Sequence, residues 1–284
     1  MKKIKVKARA KINLTLDVLG IEGKYHNIST LVSTIDLHDI IIIKKRKDKR
    51  ITLTMKGLPV DVATVDNNAY KACKKFIEKF GTLGVDIVVK KNIPVGGGLG
   101  GSSADIAGVL RGLKELFEIN QSVLPIANEL GSDSGYLLSG GYAVLTGRGD
   151  KIEQKKIDKQ LYLLIITENE QVSAKNSYKT FDKQGKTYKP CTDIALKALE
   201  SGDNDKFVRT IKNDLYSASC EILPEIKANL TALKKAGADA FIMTGSGSAV
   251  YGLFFEEKQR NLAYKKLLPL YKGQLIKAKT EKLI

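Results

Sequence analysis

Lys91–Asp105 reads KNIPVGGGLGGSSAD, and the reading of this stretch decides the fold. Pro94 leads into Gly96, Gly97, Gly98, Leu99, Gly100 and Gly101, and Ser102 and Ser103 follow. Glycine lets the backbone adopt positive φ and lie close to a ligand. Val85 to Val89 alternates and branches like a strand, and the apolar spacing after the loop predicts a helix to about Phe117. A strand, a glycine-rich loop and a helix N-terminus together aim backbone N–H groups at an anion, with the helix dipole adding to the attraction. Ser102 and Ser103 stand where helix caps or phosphate ligands belong, and Asp105 is expected to complement the macrodipole in the first turn. The natural guest is a polyphosphate. This is not the Walker loop, because no lysine precedes Ser102. It is also too dense in glycine, and too plainly opened by proline, for the dinucleotide fingerprint.

The rest of the chain sets bounds. At 284 residues, 43% hydrophobic and 27% charged, it has globular values and room for one large core or two ordinary ones. No apolar run reaches spanning length, and Met1 to Lys11 alternates like a strand rather than a signal peptide, so a cytoplasmic protein without a membrane partner is expected. Cys73, Cys191 and Cys220 fit neither a disulfide framework nor a metal site and read as apolar fillers in a reducing compartment. With two histidines, His26 and His38, no protein-held metal is expected. The formal charge of +16 suits an anionic partner, either nucleic acid or a phosphorylated metabolite. Basic clusters such as Lys44 to Lys47 are short and lack interleaved aromatics, which favours solvated surface over a nucleic-acid groove.

Strands are expected over 3–17, 28–46, 51–55, 85–90, from Gly140 to Leu145 and onward, 161–167, 241–244, 249–255 and near the end. Helices are expected over 67–80, 122–130, 173–182, 192–200, 203–213, 221–236 and 257–266. The texture shifts to polar and charged residues around 148–160, and a boundary is placed there, giving halves 1–155 and 156–284. Strands and helices without strict alternation indicate an α+β protein.

Pro94 to Ala104 closely matches P-x-G-x-G-L-G-S-S-A, and on it the chain resembles the GHMP small-molecule kinases. Other motifs agree. Arg9 to Leu16, RAKINLTL, sets Lys11 and Asn13 on one strand face. Gly131 to Gly141, GSDSGYLLSGG, carries Asp133. The stretch 243–251, MTGSGSAVY, matches a third family motif through Gly245 and Ser246. The resemblance implies a two-domain fold with the active site in the cleft between the halves, and ATP with Mg²⁺ over Pro94–Ser103. It implies Asn67 near the nucleotide base, Asp133 as the base that deprotonates an acceptor alcohol, and Lys11 as the ammonium that supports it. A carboxylate beside an ammonium suits that chemistry.

Tyr25-His26, with Tyr178 downstream, resembles the branch whose acceptor carries a cytidine diphosphate in isoprenoid precursor synthesis. In that branch Tyr25 would stack on the base, His26 would bond its edge, Tyr178 would offer a second aromatic face, and Asn13, Gly245 and Ser246 would contact acceptor. A monomer or homodimer is expected. Mevalonate-, phosphomevalonate- and homoserine-type acceptors remain alternatives, as does, more remotely, a nucleic-acid-binding protein. The chain departs from the branch pattern at Lys24, Ser102, 134–136 and 167–171. At 134–136 the loss of a proline is expected to loosen the backbone after Asp133.

Overall fold

The computed structural model describes residues 2–23, 25–271 and 275–283; Lys24 lies outside them. The first half is a seven-stranded sheet built on one long central strand, β3 (Tyr25–Lys45). Along one edge β3 pairs antiparallel with β1 (Lys3–Asn13) and then β2 (Asp17–Glu22). Along the other it pairs with β5 (Val85–Lys91) and β6 (Tyr142–Gly147). The sheet is extended by β4 (Ile51–Gly57), parallel to β5, and by β7 (Lys151–Lys155), antiparallel to β6. The helices α1 (Asn68–Phe80), α2 (Gly101–Leu116), α3 (Leu124–Leu130) and the short α4 (Ser134–Leu137) accompany it. Ile106, Val109, Leu110, Leu113 and Leu116 put the apolar face of α2 into the core with Ala8, Ala10, Ile41 and Ile43. That docking fixes where the N-terminus of α2 points.

The second half holds a four-stranded antiparallel sheet in the order β11 (Leu275–Lys279), β8 (Tyr162–Ile166), β10 (Val250–Phe254), β9 (Ala240–Met243). Around it lie α5 (Ala174–Gln184), α6 (Thr192–Ser201), α7 (Asn204–Thr210), α8 (Tyr216–Ile222), α9 (Glu225–Ala236) and α10 (Glu257–Leu267). One apolar cluster includes residues of both halves, among them Ile12, Leu31, Leu163, Ile165, Leu199 and Tyr251. After β11 the chain returns to the first sheet. Thr280 bridges to Ile35, Glu281 N–H donates to the Thr34 carbonyl at 2.9 Å, and Leu283 bridges to Gly140.

Most expected elements are present, with three corrections. The strand expected over 3–17 ends at Asn13 and resumes at Asp17, because Leu14 and Thr15 both turn their N–H groups to the Leu31 carbonyl. The helix expected over 203–213 stops at Thr210, since Lys212 and Asp214 exchange backbone hydrogen bonds with Leu16. The helix expected over 221–236 is split into α8 and α9: Pro224 forbids helical geometry at Leu223, which lies at φ −137°, ψ 93°. Residues 148–150, at the start of the stretch where the boundary is placed, form the turn of the β6–β7 hairpin.

Candidate active site

In the glycine loop Gly96, Gly98 and Gly100 have φ of 74°, 74° and 73°. Left-handed residues at every second position curl successive N–H groups into a concavity suited to an anion. Gly100 also serves as the N-cap of α2 and has no side chain to cap it, so first-turn amides are left for a ligand. Leu99 accepts the Lys11 N–H at 3.0 Å, and Gly97 accepts the Ala249 N–H at 3.3 Å. The loop is thereby held between β1 and the turn that links β9 to β10. Met55, Val60, Val62, Asn67, Asn68 and loop residues 94–103 line a cavity of about 340 Å³, within the size class of small-molecule sites. Asn67 lines it as expected, but its side-chain oxygen caps α1 by accepting from Ala69 N–H at 2.9 Å. The Ser102 hydroxyl accepts from the Asn68 amide.

Lys11 and Asn13 do share a face of β1. Lys11 is 5% exposed; its Nζ donates to Asn13 Oδ1 at 2.6 Å and lies 3.4 Å from Asp133 Oδ2. Its stem passes directly over Gly100. Asn13 is spent inside the protein: Oδ1 also accepts the Gly245 N–H at 2.9 Å, and Nδ2 donates to Thr30 Oγ1 at 2.9 Å. Asn13 thus joins Lys11 to the Gly245 turn. The Ser246 hydroxyl donates to the Val172 carbonyl at 3.2 Å.

Asp133 is the N-cap of α4, and the backbone after it is not loosened. Ser134, Gly135, Tyr136 and Leu137 are all buried, and Tyr136 Oη donates to the Gly141 carbonyl at 2.5 Å. Gly135 packs closely against α3: a Cβ there would lie 2.1 Å from Asn128 Oδ1, so a larger residue would have to displace that side chain. Burial pushes the Tyr178 phenol up to about 12, and the charge of Asp133 adds to the shift.

Tyr25 and His26, as neighbours on a strand, face opposite ways. The Arg148 guanidinium covers the Tyr25 ring at 3.6 Å. His26 stacks on Tyr178 with centroids 4.4 Å apart, and its Nε2 lies 2.7 Å from Asp182 Oδ1. Tyr25 and Tyr178 therefore do not face each other as two sides of one slot, and His26 occupies the ring that the sequence reading offered to a base.

Two family models match the chain: GHMP kinases N terminal domain over residues 67–147 and GHMP kinases C terminal over residues 195–271. The chain belongs to the GHMP kinases. Among curated relatives of this GHMP kinase is 4-diphosphocytidyl-2-C-methyl-D-erythritol kinase of Macrococcus caseolyticus, 36% identical, covering 89% of this chain and 90% of the relative. The enzyme of that name from Caldicellulosiruptor bescii is 37% identical over 88% of this chain and 89% of its own. A crystal structure of 4-(cytidine 5'-diphospho)-2C-methyl-D-erythritol kinase superposes with a TM-score of 0.83 at 26% identity, covering 97% of this chain and 98% of that one.

Sequence reasoning missed one polar group beneath the loop of this GHMP kinase. Asp105 does not serve the helix dipole. It is the fifth residue of α2, buried, and its Oδ2 takes Lys91 Nζ at 2.7 Å. Lys91 also pairs with Asp39, which is fully buried. Each residue was visible in the sequence, but nothing in their spacing announces that β3, β5 and α2 meet there. Thr244 was missed likewise; its hydroxyl accepts the Asn13 N–H at 3.1 Å.

Proposed function

We propose that this GHMP kinase transfers the γ-phosphoryl group of ATP to the 2-hydroxyl of 4-diphosphocytidyl-2-C-methyl-D-erythritol, in isoprenoid precursor synthesis. One observation carries the reading: a buried ammonium, Lys11, and a carboxylate, Asp133, stand 3.4 Å apart at the edge of an amide-rich loop to which β1 is hydrogen-bonded. In this reading the triphosphate lies along Pro94, Gly96, Gly97, Gly98, Leu99, Gly100, Gly101, Ser102 and Ser103, with the base toward Asn67. The acceptor hydroxyl enters between Asp133 and Lys11. Its oxygen bonds to the γ-phosphorus as the bond from that phosphorus to the ADP oxygen breaks. Its proton passes to Asp133, which lies within reach to act as base. Lys11 stabilises the alkoxide and the transferring group; Asn13 Oδ1 holds its Nζ, and the Gly245 N–H holds that oxygen in turn. Positioning and charge stabilisation are what phosphoryl transfer needs.

Tyr25 gives the cytosine a platform once Arg148 moves aside, and His26, Tyr178 and the Ser246 turn form the acceptor wall. Among the described residues no three His, Cys, Asp or Glu side chains gather to hold a metal. The donors at the loop, Ser102 and Ser103, fit Mg²⁺ that arrives on the phosphate oxygens. Bound there, it would neutralise charge on the β- and γ-phosphates. We place the division between the ATP-binding half and the second half at 155/156, supported by β7 ending the first sheet at Lys155. We place the enzyme in the cytoplasm as a monomer or homodimer, without nucleic-acid or membrane partner. The free thiols Cys73, Cys191 and Cys220 suit a reducing compartment.

Asp133→Asn tests the mechanism. It keeps size and polarity and leaves the Lys11–Asn13 bond in place, so nucleotide affinity should hold while kcat falls by about 10²–10⁴-fold. Near-normal turnover in a direct phosphorylation assay would remove Asp133 from the chemistry.

A further inference from the structure

The two ends of the glycine loop are joined under it by three buried charged side chains. Asp39, on β3, accepts the N–H groups of Asn92 and Ile93 at 2.5 and 2.9 Å. These are the first amides beyond β5, where the sheet ladder no longer supplies acceptors, and buried amides need one. The same carboxylate takes the ammonium of Lys91, the last residue of β5. Lys91 then reaches across to Asp105 in α2. Its Nζ passes beneath the first residue of that helix, 3.6 Å from where a Cβ on Gly101 would stand. Lys91, Asp39 and Asp105 are each 6% exposed or less, and Lys91 and Asp105 both line the nucleotide cavity. The second oxygen of Asp105 is buried with no partner in the protein.

We propose that Asp39, Lys91 and Asp105 form a positioning unit for the nucleotide's phosphate tail. Asp39 fixes the loop entry to the sheet, and Lys91 and Asp105 fix the helix that receives the tail to that entry. None of the three belongs to the pair that handles the acceptor hydroxyl, so the unit acts on the nucleotide and not on the acceptor. Three charges give the unit a net negative charge when both carboxylates are ionised. Burial and the nearby Asp39 charge push the Asp105 carboxyl up to about 7 against the pull of Lys91, so the unit sheds part of that charge near neutrality. The inference rests on the reading that ATP occupies the loop.

The test compares Asp105→Ala with Asp105→Asn in the full-length protein. Calorimetric titration with ADP is read alongside KM for ATP, KM for the acceptor and kcat. Asp105→Ala cuts the tie, and a loop displaced by a fraction of an ångström should weaken ADP binding and raise KM for ATP about tenfold, with acceptor KM within about twofold. The asparagine oxygen still accepts from Lys91, so Asp105→Asn should recover nucleotide affinity to within about threefold of wild type. Should Asp105→Ala fail to fold by circular dichroism, Asp39→Asn replaces it. That variant keeps an oxygen for Asn92 and Ile93 while opposing an amide to Lys91, and the same nucleotide-selective loss is expected. Equal rises in both KM values, an asparagine variant no better than alanine, or unchanged ADP binding would overturn the proposal. A wild-type protein that binds no ADP at all would instead overturn the reading of the loop.

Discussion

Gly97 and Gly98 are adjacent and chemically identical, yet an added methyl group should have very unequal consequences at the two sites. At Gly98, φ is +74°, and a Cβ would stand 2.3 Å from the Thr244 carbonyl oxygen, where real Cβ contacts stay beyond 3.0 Å. Gly98→Ala therefore pays left-handed strain of about 1–2 kcal/mol. It must also part the loop from the Thr244–Ala249 turn by most of an ångström, weakening one or two hydrogen bonds of about 1 kcal/mol each. Together these come to about 2–4 kcal/mol, a fall in Tm of about 3–7 °C for a chain of this size. Because the displaced atoms are the ones that meet the phosphates, kcat/KM for ATP should drop about 10²-fold. At Gly97 φ is not left-handed, and a Cβ would lie 3.3 Å from the Ala249 methyl; Gly97→Ala should cost less than about 1 kcal/mol. Thermal melts by circular dichroism and steady-state kinetics on the two variants decide the matter. Equal melting temperatures and equal turnover would refute the claim that the turn's carbonyl sets the loop's position.

Tyr25→Leu removes the platform that Arg148 now covers, so KM for the acceptor should rise about tenfold while KM for ATP stays within twofold; steady-state kinetics with each substrate varied checks this. Stability should depend on pH through Asp105. Between the unfolded carboxyl value and about 7 the native state holds a proton that the unfolded chain has released. Stability therefore falls as pH rises through that window, so wild type should lose stability relative to Asp105→Asn from pH 5 to pH 7 in urea titrations. Asp17 has the opposite sign. Burial works against its charged form, but hydrogen bonds from Thr192 and Cys191 outweigh it and hold the carboxyl below its ordinary value. Its contribution is complete above about pH 4 and is lost as pH falls through the lowered value. Asp17→Ala should cost about 2 kcal/mol at pH 7 and make denaturant midpoints less sensitive to acid.

The strand–loop–helix unit was legible because its residues are local: Pro94 and the glycines state their backbone geometry outright, and α2 follows from its apolar spacing. The pairing of Lys11 with Asp133 was legible only through motif resemblance, since more than a hundred positions separate them and periodicity says nothing about distant neighbours. Helix ends failed where tertiary contacts intervened: Lys212 and Asp214 look helical by composition but are drawn off by Leu16. The break at Pro224 obeys a local rule that the apolar spacing over 221–236 concealed. How Tyr25 and His26 are placed could not be read from their adjacency, because neighbours on a strand point their side chains to opposite sides. Asp105 looked like a surface dipole partner because its burial depends on Asp39 and Lys91, from two other elements.

The return of residues 280–283 to the first sheet has a consequence for dissection. Thr280, Glu281 and Leu283 pair with Ile35, Thr34 and Gly140, and Arg9 meets Glu281 at 2.9 Å. A polypeptide severed between the two sheets would strip this clasp from one fragment and leave the other with a dangling end. Neither piece should be a faithful miniature of its portion of the enzyme, and only the two produced together should regain a native-like fold.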